Sequence, residues 1–179
     1  MSLAQQTNLA QLQTPQSLDE CTADNCPEFN FDGQINECKV VDVYDGDTCK
    51  VCFSMDTGFY KFPVRMLGYN THEMKQKKDD PNAATNKASA VAARDYLRSL
   101  VLGRRVFIQC HEQDKYGRIL GRLYLDRTLA PSVCVNDMML ASGHGFVYSG
   151  VGDKFAGTGG VQPTASAGTG GVQPVMLSQ

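Results

Sequence analysis

Residues 39–67, KVVDVYDGDTCKVCFSMDTGFYKFPVRML, decide how this chain folds. Lys39–Tyr44 and Thr48–Ser54 are two runs rich in β-branched residues, Cys and Phe, and the Asp45–Gly46 dipeptide between them favours a tight hairpin turn. Tyr60–Leu67 reads as a third strand. Alternation places Phe62, Val64 and Met66 on one face and Lys61, Pro63 and Arg65 on the other, so Arg65 points away from the main apolar set. Pro63 has no N–H to give a neighbouring strand and suggests an edge or a bulge.

Beyond this stretch the period changes. Ala90, Ala93, Leu97, Leu100 and Val101 recur at helical spacing, which predicts a helix over Pro81–Leu102. Asp80 can cap it, Pro81 suits its first turn, and Gly103 suits the residue just past its end. Arg105–Cys110 and Ile119–Leu125 read as a fourth and a fifth strand. A short second helix is expected over Ser132–Ser142, with Val135, Met139 and Leu140 inward and Gly143 ending it. The order of three strands, helix, two strands, helix is too strand-rich for a doubly wound sheet. It fits an α+β fold built on a five-stranded OB-fold barrel, with one helix between strands three and four and a short one after strand five.

The chain has 179 residues, 17 Lys plus Arg against 19 Asp plus Glu, and 42% hydrophobic residues, which suits one soluble globular domain. No apolar run approaches the roughly 20 residues a bilayer requires, and Met1–Gln16 lacks a signal peptide's apolar core. The chain as written is therefore expected to be the mature, intracellular protein. Charge divides it into three. Residues 1–37 form an acidic, Gln-rich arm with six acids and no Lys or Arg, expected to be partly disordered. Residues 38–150 form the folded domain, with 16 basic against 12 acidic residues. Residues 151–179 form a Gly-rich tail in which AGTGGVQP occurs at Ala156–Pro163 and again at Ala167–Pro174, an 11-residue period. The middle segment is basic enough to be compatible with nucleic acid, yet short of the stripe that would argue for it unaided. Seven cysteines, an odd number, favour reduced thiols. Cys21, Cys26 and Cys38 lack a fourth ligand at zinc-finger spacing, so small buried or half-buried thiols are the better reading.

Three polar clusters lie at strand ends: Asp45–Gly46–Asp47–Thr48, Arg65 with Asn70–Thr71–His72–Glu73, and Asp114–Lys115–Tyr116–Gly117–Arg118. Each alone is an ordinary turn or loop. Together with R-x-Y at Arg122–Tyr124 and V-N-D at Val135–Asp137 they occur in the order found in staphylococcal nuclease, and from Lys39 to Tyr148 the chain resembles that thermonuclease family.

The resemblance implies calcium-dependent hydrolysis of phosphodiester bonds in DNA and RNA, leaving 3′-phosphate ends; nucleic acid, single strands preferred, is the expected partner, and the lack of a long apolar run leaves no membrane partner expected. Carried over by position, Asp47, Asn70 and Thr71 look like the calcium ligands, Thr71 through its backbone carbonyl. Arg65 and Arg118 look like the pair that grips the scissile phosphate, and Glu73 like the group that orients or deprotonates the attacking water. Lys115 and Tyr116 match positions that contact a terminal phosphate. Phe146 and Tyr148 are candidates for the aromatic residues that stack on a base. The chemistry suits these types, since Arg forks donate paired hydrogen bonds to phosphate oxygens and Ca²⁺ takes carboxylate, amide and carbonyl oxygens. The sequence departs from the family's D-T-P-E at two places, with Asn70 for Asp and His72 for Pro. Asn70 removes one negative ligand and motivates an alternative: a catalytically weak or inactive module that binds nucleic acid or serves an assembly, for example packaged in a virion.

Overall fold

The computed structural model describes residues 15–26 and 28–148; the Gly-rich repeat and residues 1–14 of the Gln-rich arm lie outside them. Five strands close into a barrel in the order β1 (Ile35–Val43), β2 (Thr48–Met55), β3 (Gly58–Met66), β6 (Ile119–Tyr124) and β5 (Arg105–Gln113). Helix α1 (Ala83–Val101) connects the third barrel strand to the fourth, and α2 (Val135–Ala141) follows the fifth. The OB-fold arrangement expected from the alternation is therefore present. Two further strands of two residues each, β4 (Tyr69–Asn70) and β7 (Phe146–Val147), pair antiparallel beside the barrel.

Several boundaries differ from the sequence reading for identifiable reasons. Strand β1 starts at Ile35 rather than Lys39, because Ile35–Lys39 pairs with Arg105–Gln109 of β5 before the chain reaches β2. Phe31, just ahead of it, is buried and packs edge-on against Phe53 and Phe62 at 5.6 and 5.1 Å, closing one end of the barrel. The second helical segment is broken: Pro131–Val133 forms a single 3-10 turn, and α2 begins only at Val135. Asp80 does not occupy the N-cap, which is Asn82, but its carboxylate accepts the Asn82 N–H at 2.8 Å and the Asn86 amide at 2.9 Å. It steadies the helix start from two residues upstream. Pro63 lies in β3 where only β2 is a partner, since β6 joins β3 from Val64 onward. That open edge is where a residue without an N–H is tolerated.

Helix α1 buries Ala90, Ala93, Leu97 and Val101 on the barrel, and Arg98 donates to the Val43 carbonyl at 3.0 and 3.3 Å. The barrel itself closes over a short parallel seam, Val64–Met66 against Ile119–Gly121. A Cβ at Gly121 would sit 3.0 Å from Ile108 Cδ1 and 3.2 Å from Val64 Cγ1, so the seam is tight where it has no side chain. Asn136 fastens it from α2. Its amide donates to the carbonyls of Leu67 (2.8 Å) and Gly121 (3.1 Å), and its oxygen accepts the Leu123 N–H at 3.0 Å. This assigns a role to the V-N-D motif: its asparagine is a buried tie between the two seam strands, and its Asp137 pairs with Arg122 at 2.7 Å.

Asn136→Ala removes three hydrogen bonds, and although the Gly121 carbonyl keeps the Leu67 N–H at 2.9 Å, the Leu67 carbonyl and the Leu123 N–H lose their Asn136 partner, so we expect the substitution to lower stability by roughly 2–4 kcal/mol. Urea titration followed by circular dichroism reads this directly; a change below 1 kcal/mol would contradict it.

Candidate nucleic-acid active site

The β1–β2 turn supplies the first half of the site. Gly46 is required there, because a Cβ would lie 2.7 Å from both Ala93 Cβ and Thr71 Cγ2. Tyr69, fully buried, donates its hydroxyl to the Gly46 carbonyl at 2.8 Å and so fixes the turn against β4. The turn in this position delivers Asp45 and Asp47, both buried, to the end of the barrel.

Asp47 is the hub. Its Oδ2 lies 2.7 Å from Arg65 Nη1 and accepts the Thr71 N–H at 3.1 Å and the Thr71 hydroxyl at 3.4 Å. Its Oδ1 accepts the Thr48 hydroxyl at 3.1 Å. Arg65 Nη2 donates to Asn70 Oδ1 at 2.9 Å, so the oxygen expected to ligate a cation also holds the arginine. Burial, then the neighbouring charge of Asp47, pushes the Asp45 carboxyl up to about 7, and Glu73 adds to the same field. The structure thus gathers Asp47, Asn70, Thr71 and Arg65 within direct contact, with Asp45 behind them and Glu73 nearby.

The second half comes from the turn before β6. Asp114 accepts the Tyr116 and Arg118 N–H groups at 2.9 and 3.0 Å, and Oδ2 also takes Arg118 Nε and Nη2, each at 2.7 Å. Desolvation opposes ionisation there, but these hydrogen bonds hold the Asp114 carboxyl below its ordinary range. Arg118 Nη1 reaches Thr48 Oγ1 at 3.4 Å, linking the two halves. Lys115 Nζ and Arg118 Cζ lie 5.2 and 5.5 Å from the ring of Tyr116, which is 71% exposed.

Arg65, Lys115, Tyr116, Arg118 and Tyr148 share the walls of one cleft of about 560 Å³. Glu73 lies outside these walls, in a separate recess with His72 and Gln76. Tyr148 is positioned by its N–H, which donates to the Gly68 carbonyl at 3.1 Å, whereas Phe146 turns toward His72. Met66, Leu67, Gly68 and Leu120 also line the cleft, with Asp114, and these four were not marked as site residues by the sequence, where they read as barrel strand or turn. Asp45 was visible there only as a turn residue; its burial beside Asp47 is what the fold adds.

Among the described residues no three His, Cys, Asp or Glu side chains form a metal cluster. The donor set nevertheless suits a hard cation, because two buried carboxylates two residues apart, an amide oxygen and a neighbouring backbone carbonyl are oxygen donors, and Asp45 is raised by burial first and by the Asp47 charge second. Cys21 and Cys26 are exposed while Cys38 is buried in the barrel, so they do not form the zinc site considered above.

These features are those of a nuclease-type OB barrel, and comparison with known proteins agrees. Residues 63–158 match the model of the family described as staphylococcal nuclease homologue, and the chain belongs to that family. It is 34% identical over 111 residues to an "Uncharacterized endonuclease" of Escherichia coli, covering 62% of this chain and 60% of that protein. A protein of the same name from Escherichia coli O157:H7 is 33% identical over the same length. The chain thus spans about 60% of the length of the curated relatives it matches.

A carboxyl whose folded pKa exceeds its unfolded one binds a proton on folding, so its contribution to stability is present at low pH and is lost as pH rises. For Asp45 the window runs from the ordinary value of 3.8 to about 7. We expect stability in chelator to fall across that window and the Asp45→Asn variant to lose this component, as measured by unfolding midpoints over a pH series.

Proposed function

We propose that the protein is a calcium-dependent endonuclease that hydrolyses phosphodiester bonds of DNA and RNA and leaves 3′-phosphate ends. The observation that carries the reading is the convergence of Arg65 and Arg118 on one cleft beside a buried carboxylate pair, each arginine held by an acid. Arg65 contacts Asp47 and Asn70 through Nη1 and Nη2, which leaves Nε–H and a second Nη2–H for a phosphate. Arg118 contacts Asp114 through Nε and Nη2 and Thr48 through one Nη1–H, which leaves a second Nη1–H and a second Nη2–H. Two pre-oriented forks can then meet the charge that develops on the equatorial oxygens of the phosphoryl group.

Asp47, Asn70 and the Thr71 carbonyl would hold the cation, with Asp45 adding charge behind them. Calcium, when bound, supplies Lewis-acid polarisation of the phosphate. Glu73 takes the proton of the attacking water, whose oxygen bonds to phosphorus as the bond to the 5′ oxygen breaks and that oxygen takes a proton from solvent to leave as the 5′-hydroxyl. Lys115 and Tyr116 hold a neighbouring terminal phosphate, and Tyr148 offers its ring to a base. Asn70 favours a second reading, a binding module with little turnover, because it supplies no charge and its oxygen already serves Arg65.

Incubation of labelled single-stranded DNA with the protein in millimolar calcium, followed by analysis of product ends, separates the two. We expect cleavage that chelation abolishes, 3′-phosphate products, and a loss of about 100- to 1,000-fold in kcat/KM for Arg65→Ala or Arg118→Ala. Asn70→Asp should tighten calcium binding on the order of tenfold, read by calorimetry. Intact DNA in every lane would leave the binding module.

A further inference from the structure

The outer face of the barrel continues beyond the cleft. Alternation along β3 puts Lys61, Pro63 and Arg65 on one side of the strand, and Lys61 lies ~13 Å from Arg65 at about 3.3 Å per residue. The register then aligns four strands into a row. Cys52 is opposite Lys61 on one side and Lys39 on the other, and Lys39 is opposite Arg105 of β5. Lys50, opposite Pro63, stands between this row and the site, two residues along β2 from Thr48.

Lys39, Lys50, Lys61 and Arg105 are all exposed, and among the described residues Glu37 and Asp42 pair with them, bound to Arg105 and Lys50 at 2.7 and 3.1 Å. Neither Lys39 nor Lys61 enters an ion pair among the described residues. Like charges directly opposite across strands cost stability, so the fold itself gains nothing from setting Lys39 against Arg105. The row borders a groove of about 810 Å³, at whose far end Phe59 is 82% exposed. A cationic strip with an exposed aromatic face at its end has the features that bind the phosphates and bases of single-stranded nucleic acid.

We propose that this outer face of β1–β3 is a binding track for single-stranded nucleic acid, continuous with the cleft. Lys50, Lys61 and Lys39 receive backbone phosphates a few nucleotides from the scissile one, and Phe59 stacks on a base. The track rests on the nuclease reading above and extends it: the enzyme favours polynucleotides over short fragments, and holds them through their backbone without reading sequence.

The test measures binding of a labelled oligothymidylate dodecamer by fluorescence anisotropy over a salt series in chelator, for wild type, the Lys39→Gln/Lys61→Gln double variant and Phe59→Ala. Each lost phosphate contact to a single strand lowers the log–log salt slope by about 0.7, so the double variant should be shallower by ~1.4 and bind roughly tenfold more weakly at low salt. Phe59→Ala should weaken binding about fivefold or more at every salt concentration, with the slope kept. A tetranucleotide, too short to span cleft and track, should show a smaller loss. Unfolding midpoints check that the exposed substitutions leave the barrel intact. Wild-type slope and affinity in the double variant, with calcium-dependent cleavage present, would overturn the track alone. A wild-type protein that neither binds nor cuts any strand would overturn the nuclease reading and the track with it.

Discussion

Everything in this molecule depends on a seam of three residue pairs, Val64–Met66 against Ile119–Gly121, at which the sheet meets itself in parallel. Parallel contact between strands distant in sequence needs a long connection, and here the connection carries β4, α1 and β5. The seam also decides chemistry. Arg65 lies within it and Arg118 immediately precedes β6, so closing the barrel brings two arginines to one cleft. Loosening the closure would separate them before it exposed much core.

Around that seam, polar ties replace bulk. Asn136 satisfies three backbone groups, Asp47 gathers Arg65, Thr71 and Thr48, and Asp114 collects two amides and a guanidinium. Each is a short side chain serving several donors or acceptors at a fixed spot, which is how buried polarity avoids its desolvation cost. Most of these ties lie beside the functional residues, so the same hydrogen bonds that hold the fold also orient the site.

Period-two alternation from Lys39 to Leu67 and the Ala-rich helical spacing made the barrel and α1 legible in the sequence, because both are long enough to show a repeat. Strands β4 and β7 are two residues each and carry no repeat at all. Ile35–Cys38 shows no apolar alternation because only Cys38 of that segment turns inward, while the apolar plug, Phe31, stands outside any strand. The site was legible as an ordered series of short motifs. What escaped was set by the chain's path: Met66, Gly68 and Leu120 become cleft walls only after the seam forms, and Asp45 becomes a buried acid only when Gly46 seats the turn against Ala93.

The thiols inside the barrel have a consequence for observing it. Cys38, Cys49 and Cys110 are buried on three different strands, and burial, the largest cause in each case, raises all three, Cys38 to about 12 and Cys110 to about 11. Thiolate is the reacting species, so these sulfurs stay silent toward alkylating reagents while the strands are closed. Their reaction clocks how often β1, β2 and β5 part, which makes native cysteines resident probes of barrel breathing without any added label.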